Sequence, residues 1–208
     1  MNAGYLSLLL SSSALILLAS GWKEVLLPGI SHRAVLLFFI AVFTATWFWI
    51  PLTPGVKLNG GALVLLLASI RPMYRQKDKL LVLQCLSVAL LVGSIYLFMN
   101  RLDDVSPVLT IYMPRWEQIL ILGSIVGITV RKPGEQVTVI TFALLFAASA
   151  HGWGLPGNET IYMGKPEFYD AWWVLIVSAR VLSVTTEGVE KWFKRLPALP
   201  GRWKGWKK

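Results

Sequence analysis

The sequence has very few of the residues that build catalytic and metal sites. Its one cysteine, Cys85, cannot form an internal disulfide, and its two histidines, His32 and His151, exclude a site with several histidine ligands. The motifs HExxH, GxSxG and GxxxxGKS/T do not occur. The sequence therefore lacks the signatures of zinc proteases, α/β-hydrolases and P-loop enzymes. We therefore expect no cofactor and no metal site.

Charged residues are also scarce. They make up 15% of the 208 residues, whereas hydrophobic residues make up 55%. Soluble domains carry about 25% charged residues, so we expect lipid to be the solvent for much of this chain. The net charge of +9 comes from short basic runs between apolar segments. Because nucleic-acid binders carry their basic residues on one polar face, we expect no nucleic-acid partner.

Long apolar runs dominate the rest of the sequence. A membrane-spanning helix needs about 20 apolar residues, because its backbone groups must be satisfied within the helix. Seven runs approach this length: residues 3–20, 34–52, 58–70, 80–99, 114–130, 137–150 and 168–184. Lys23 follows the first run and no basic residue precedes it, opposite to a signal peptide, so we expect a retained helix. We predict an all-α, polytopic bundle of about seven transmembrane helices over residues 1–184.

Charge and aromatic residues predict the orientation of this bundle. With the N-terminus outside, most basic residues fall in cytoplasmic loops or in the tail, residues 185–208, as the positive-inside rule requires. Most Trp and Tyr residues then lie near the two membrane surfaces, as in an aromatic belt. We predict a multi-pass plasma-membrane protein with a cytoplasmic C-terminus. Its basic, Trp-containing tail favours contact with anionic lipids.

Three predicted helices, the third, fifth and sixth, are shorter than the membrane core. At 1.5 Å per residue they span about 20–26 Å, against about 30 Å of hydrocarbon. Because charges or turns bound them on the cytoplasmic side, the missing length lies outside. There we predict a ligand-binding recess between the third, fifth, sixth and seventh helices, bordered by Trp116, Trp153 and Trp173. Its candidate ligand-binding residues are Lys57, Asn59, Glu117, His151 and Asp170.

The outer loops and Arg180 each allow a second interpretation. The outer loops can instead fold over the short helix ends and only complete the packing. Arg180 lies inside the seventh run, where a charge indicates function. However, it lies in the cytoplasmic half, so its side chain can also extend to the inner surface.

The stretch Phe168-Tyr169-Asp170-Ala171-Trp172-Trp173, followed by Ser178-Ala179-Arg180-Val181-Leu182-Ser183, resembles the YphA-like membrane proteins of Bacillus-type bacteria. The chain length and the Arg131-Lys132-Pro133 loop are also similar. The resemblance covers chiefly the C-terminal third. It implies a bacterial plasma-membrane protein without an assigned activity, and it brings no catalytic residues.

Three functions agree with these observations. The first is a non-catalytic membrane protein that acts through assembly or regulation with an unknown protein partner. The second is a solute-binding membrane subunit or small transporter that takes a small ligand in the outer recess. The third is an enzyme at the outer leaflet, with Glu117, His151 or Asp170 as acid or base. Among these, the absence of motifs favours the non-catalytic protein.

Overall fold

The structure is a computed structural model, and it describes residues 2–53, 55–75, 78–105, 114–153 and 160–195. It is all-α apart from one small sheet. The helices are α1 (Tyr5–Leu17), a π-helical turn (Leu18–Trp22), α2 (Lys23–Leu26), α3 (His32–Ala45), α4 (Gly60–Arg75), α5 (Lys79–Val105), α6 (Arg115–Thr129), α7 (Pro133–Trp153) and α8 (Pro166–Arg195). The strands are β1 (Trp49–Thr53), β2 (Val56–Asn59) and β3 (Ile161–Met163).

Four helical segments are long and apolar enough to cross a membrane. They are Tyr5–Leu26, Lys79–Leu102, Pro133–Gly152 and Pro166–Glu190. Two further apolar helices, His32–Ala45 and Gly60–Tyr74, are shorter. The predicted all-α class is therefore confirmed.

The chain runs back and forth between two ends of the bundle. We call the end that holds the three strands and the starts of α1, α4, α6 and α8 the sheet end. The other we call the basic end, because it holds Lys23, Arg71, Lys79, Arg131 and Lys132. Gly21 makes the turn from α1 into α2 at the basic end with φ of 99°, a left-handed conformation that glycine adopts without strain.

The sheet at the sheet end was not predicted. Strand β1 pairs antiparallel with β2, and β2 pairs parallel with β3, about a hundred residues later in the chain. The second predicted helix, residues 34–52, was too long, because α3 ends at Ala45 and the apolar run continues as β1. Pro51 lies in this edge strand, where its missing N–H is tolerated.

The expectation of three short helices is correct for two of them. Helix α4 has 16 residues, with Pro72 inside it, and α6 has 15. Helix α7 is longer than the predicted 137–150, since its 21 residues begin at Pro133. At 1.5 Å per residue it is about 31 Å long. One of the three helices on which the recess was based therefore has full membrane length.

Small residues bring the central helices close together. A Cβ on Gly127 of α6 would lie 2.7 Å from the backbone oxygen of Ala179 in α8, and one on Gly93 of α5 would lie 2.6 Å from that of Ala143 in α7. Gly123 and Gly127 form a GxxxG spacing, which lets helices in lipid pack backbone to backbone. The buried core lies among α4, α5, α6, α7 and α8.

Helices α1 and α3 lie outside this core. No residue of α1 or of α3 is buried, although α1 contacts α8 and α3 contacts α4. Ser31 accepts a hydrogen bond from the backbone N–H of Ala34 and so caps the start of α3. The predicted tail, residues 185–208, begins as a continuation of α8 up to Arg195, and residues 196–208 lie outside the described residues.

Candidate functional site

Asn59 lies at the centre of the sheet end and is buried. Its Nδ2 donates to the carbonyl oxygen of Thr46 at 2.8 Å, and its Oδ1 accepts from the backbone N–H of Gly61 at 3.0 Å. The hydroxyl of Tyr169 donates to the same Oδ1 at 2.5 Å. Asn59 therefore joins the end of α3, the start of α4 and the start of α8. Its side chain stabilises the fold at this point.

Asp170 follows Tyr169 on α8 and binds the first turn of α1. Its Oδ2 accepts from the backbone N–H of Gly4 at 2.7 Å, and its Oδ1 accepts from that of Ser7 at 2.6 Å. The first amides of a helix have no partner within the helix, and the helix dipole favours an anion there. The carboxylate is thus a cap supplied by another helix, and both of its oxygens are engaged.

Lys57 and Lys165 lie against one aromatic ring. The Nζ of Lys57 lies 5.4 Å from the ring centroid of Tyr162, and that of Lys165 lies 5.8 Å from it. The ring of Trp49 meets the same tyrosine edge-on at 5.4 Å. Lys57 and Tyr162 are partners in the parallel pairing of β2 with β3. The two cations therefore share one aromatic ring.

The structure links three of the five predicted site residues, Lys57, Asn59 and Asp170. Lys57 and Asn59 lie two residues apart on β2, and Asn59 reaches Tyr169, the neighbour of Asp170. Glu117 lies in the first turn of α6, and the carbonyl oxygen of His151 on α7 accepts from Nη2 of Arg101 at 2.9 Å. Within the described ranges, no hydrogen bond or ion pair connects Glu117 or His151 with the other three. The recess that would unite all five stays a prediction.

A crevice of about 170 Å³ opens elsewhere, between α1 and α3, and ends against α8. Its walls include Ser7 and Leu8 of α1, Phe39 and Val42 of α3, and Trp172 of α8. Among the three tryptophans predicted to border the recess, Trp173 lines this crevice, while Trp116 is exposed at the start of α6. The side chain of Trp153 lies outside the described residues. Sequence analysis did not predict this crevice, because its walls come from helices far apart in the chain.

No protein-family model, curated protein or solved structure matches the chain.

Arg180, in the middle of α8, binds helix ends at the basic end of the bundle. Its Nη1 donates to the carbonyl oxygen of Arg131, just after α6, at 3.3 Å, and its Nη2 donates to that of Val25 in α2 at 3.4 Å. A cation near the last carbonyls of a helix is favoured by the helix dipole. The structure thus gives Arg180 a third role, beyond the two predicted, as a clamp on two helix ends. Together, Asp170 and Arg180 hold both ends of the N-terminal helical segment on α8.

A buried polar chain next to Arg180 was also missed. Nε2 of Gln136 donates to the hydroxyl of Ser183 at 2.6 Å and to the carbonyl oxygen of Val130 at 2.7 Å. Ser183 in turn donates to the carbonyl oxygen of Gly127 at 3.0 Å. Nothing in the sequence singles out Gln136 or Ser183, since their partners lie elsewhere in the chain. The Gly123-x-x-x-Gly127 spacing could have predicted the close approach of α6 to another helix, although not these hydrogen bonds.

Acidic, histidine and cysteine side chains do not converge on a metal site in the described part of the chain, where no group of three or more could hold an ion. The polar contacts at the sheet end instead fix backbone segments. For binding, the arrangement offers the apolar crevice and the two lysines of the sheet end.

Proposed function

We propose that the chain is a multi-pass protein of the bacterial plasma membrane and that it acts without catalysis, by assembling with another membrane component. In this proposal α1 and the six helices α3 to α8 cross the bilayer, with the sheet end outside and the basic end in the cytoplasm. The four apolar helices of membrane-spanning length support insertion in a membrane. The resemblance to YphA-like proteins stays a prediction.

The distribution of charge supports this orientation. Lys23, Arg33, Arg71, Lys79 and Lys132 lie at or near helix termini of the basic end. Cytoplasmic loops carry an excess of Lys and Arg because positive charges resist translocation. The cations of the sheet end are fewer, and two of them, Lys57 and Lys165, lie beside Tyr162.

The proposal of assembly rests on the exposure of α1 and α3. Not one of their residues is buried, whereas α6 alone buries five. Two helices that the fold leaves on its outside offer a broad apolar surface. Such surfaces mark sites of protein or membrane contact.

The roles of Asn59 and Asp170 support a non-catalytic function. A general acid or base must be within hydrogen-bond reach of a reacting group. Asn59 and both oxygens of Asp170 are instead bound to backbone N–H groups and, for Asn59, to Tyr169. These side chains hold α1, α3, α4 and α8 together.

Cysteine labelling in intact cells tests the topology. In a Cys85→Ser background, Gly55→Cys places a thiol in the exposed turn between β1 and β2, where a Cβ meets nothing within 4 Å. Arg33→Cys places one at the exposed start of α3 at the basic end. An impermeant maleimide should label Gly55→Cys in intact cells and Arg33→Cys only after permeabilisation. The reverse pattern would invert the proposed orientation.

Site-specific photo-crosslinking tests assembly. A photoreactive phenylalanine at Leu37 of α3 is compared with one at Leu83 of α5, since the two side chains are 64% and 61% exposed. We expect Leu37 to give one defined protein adduct and Leu83 to give lipid adducts alone. Identical adducts at both positions would exclude α3 as an assembly surface.

A further inference from the structure

The crevice between α1 and α3 has an apolar interior. The serine and threonine hydroxyl groups in its walls donate to carbonyl oxygens of their own helices or turns: Ser7 to Gly4 at 2.8 Å, Ser11 to Leu8 at 3.1 Å and Thr46 to Phe43 at 2.7 Å. The hydroxyl of Tyr169 donates to Oδ1 of Asn59. Their protons are therefore not available to a ligand. The remaining walls are aliphatic and aromatic side chains, among them Leu65 and Trp172. Hydrocarbon fits this lining better than a polar solute.

The crevice opens sideways, along the faces of α1 and α3. Leu8 and Phe43, one on each side of it, are 58% and 63% exposed. An apolar cavity of about 150 Å³ stays free of water and binds small hydrocarbons, and this crevice measures about 170 Å³. Because Tyr5–Leu26 has membrane-spanning length and composition, the crevice lies beside lipid chains. A segment of acyl chain is the occupant that its surroundings supply.

Two lysines lie at the sheet end of the bundle, where the strands are. Lys57 and Lys165 both approach the ring of Tyr162, and neither forms an ion pair in the part of the chain that the structure describes. Glu167, the nearest acid along the chain to Lys165, is exposed on the first turn of α8. Asp170 uses both of its carboxylate oxygens on α1. The positive charge of the two lysines is thus available to an anion.

Neighbouring residues connect the lysines to the crevice. Asn59 follows Lys57 by two residues in β2 and donates to the carbonyl oxygen of Thr46, a wall residue. Lys165 precedes Pro166, and a Cβ on Gly4, another wall residue, would lie 3.4 Å from the Cβ of Pro166. Lys57 and Lys165 are therefore close along the chain to residues that contact the crevice walls. A phospholipid likewise carries its charged headgroup at one end of its acyl chains.

We propose that this site binds one anionic phospholipid from the leaflet at the sheet end. Its acyl chain lies in the crevice between α1 and α3, and its phosphate lies beside the ammonium groups of Lys57 and Lys165. Trp49 and Tyr162 occupy the headgroup level, where aromatic side chains are favoured. The site rests on the proposed insertion in a membrane, but it does not require the proposed assembly of α3 with a protein.

Native mass spectrometry of the full chain in detergent tests the headgroup part of the site. Phosphatidylglycerol and phosphatidylcholine with identical acyl chains are titrated against the wild type and the double variant Lys57→Gln/Lys165→Gln. We expect one phosphatidylglycerol to bind preferentially, and the double variant to lower its affinity about 30-fold, because each lysine near an anionic surface contributes about 1 kcal/mol. The matched control, Lys79→Gln/Lys132→Gln, removes two charges at the basic end and should leave this affinity unchanged.

A second pair of variants tests the crevice. Ser11→Phe fills it from α1, whereas Ser12→Phe places the same ring on the neighbouring position, which is exposed and does not line the crevice. We expect Ser11→Phe to abolish the preferential binding and Ser12→Phe to retain it. Size-exclusion chromatography monitors folding, and Ser11→Leu replaces Ser11→Phe if the larger ring causes aggregation.

Several results would overturn the proposal. Equal binding by all variants would remove the site, and equal affinity for both phospholipids would remove its charge selectivity. If inorganic phosphate in excess displaces the lipid completely, the site is one for free phosphate. A dimer that Ser11→Phe dissociates would make a second copy the occupant. Failure of the membrane topology would instead appear in the maleimide labelling, which the lipid-site variants leave unchanged.

Discussion

The interface of α6 with α8 and the crevice between α1 and α3 are opposites within one bundle. On the first, Gly127 lies against the backbone of Ala179 with no room for a methyl group. On the second, about 170 Å³ remains open between helices that bury no residue of their own. Tight packing of small residues holds the central helices. Such packing is typical of helices in lipid, because lipid supplies little hydrophobic drive between helices. The outer helices need a different kind of attachment.

Helix α8 takes part in both regions, and it uses different forces for each. Towards α6 it presents Ser178, Ala179 and Ser183, which are small. Towards the N-terminal segment it presents Asp170 and Arg180, whose charges match the two ends of a helix dipole. Two charged contacts therefore attach α1 and α2 to α8, whereas close packing of small residues attaches α6. Substitutions can weaken either kind of attachment separately.

The largest effect is expected from removal of the clamp at Arg180. Arg180→Leu removes two hydrogen bonds from a charged donor, to the carbonyl oxygens of Arg131 and Val25, and a hydrogen bond to a charged group contributes about 1.5–3 kcal/mol. We expect the free energy of unfolding in detergent to fall by about 3 kcal/mol, and Arg180→Lys to retain roughly half of it, since an ammonium group can still donate. The control is Arg131→Leu, which removes an exposed ion pair with Glu190 and should cost less than about 1 kcal/mol. Equal stability of the wild type and Arg180→Leu would show that the clamp contributes nothing.

A methyl group at Gly127 should break the tight interface. Its Cβ would lie 2.7 Å from the oxygen of Ala179, and overpacking of this kind costs about 1–3 kcal/mol. We expect Gly127→Ala to lower the free energy of unfolding by about 2 kcal/mol. Gly188→Ala, on α8 with nothing within 4 Å of the new Cβ, should raise it by about 0.5–1 kcal/mol. Stabilisation by both substitutions would mean that α6 and α8 are not in close contact.

Loss of the carboxylate of Asp170 should release α1 and leave the central helices in place. Asp170→Asn retains one acceptor for the amides of Gly4 and Ser7 and loses the charge that the helix dipole favours, so we expect a cost of about 1–2 kcal/mol. Hydrogen exchange should accelerate in residues 4–17 but not in α6. Glu167→Gln, an exposed change on the same turn, is the matched control. Faster exchange throughout the bundle would argue against separate attachment of α1.

The smallest effect is expected at the sheet end. Tyr169→Phe removes the hydrogen bond to Oδ1 of Asn59, which still accepts from Gly61, so the loss should be about 1 kcal/mol. Tyr162→Phe keeps the ring beside Lys57 and Lys165 and should be neutral. Chemical unfolding of both variants measures the difference. A larger loss of stability from Tyr162→Phe would show that the hydroxyl of Tyr162, on β3, makes a more important contact than that of Tyr169.

Local patterns predicted most helices but not the sheet. A run of apolar residues is sufficient to predict α5 and α8, because lipid and backbone hydrogen bonding select helices from such runs. The segment Trp49–Thr53 is as apolar as the end of a helix, so the prediction extended the second helix through it. It pairs with β2, which follows it directly, and β2 pairs with β3, about a hundred positions further along the chain.

At the sheet end too, local sequence predicted some candidate residues, whereas others depend on contacts between distant parts of the chain. Asn59 and Asp170 were chosen because they are polar and lie near helix ends, and the structure gives both of them hydrogen bonds that hold the fold. Lys165 was not predicted as a site residue, because only the folded chain brings it and Lys57 to the same ring, that of Tyr162. Glu117 and His151 remain on separate helices in the described part of the chain.

By itself, the sequence determined that this protein is helical and apolar, and that its basic residues gather at one set of helix ends. Hydropathy and charge act locally, so they can be summed along the chain. Only the tertiary structure decided that Arg180 clamps helix ends, that Asp170 caps α1, and that a crevice opens between α1 and α3. Each of these depends on a partner from another helix, and the identity of a partner is a property of packing in three dimensions.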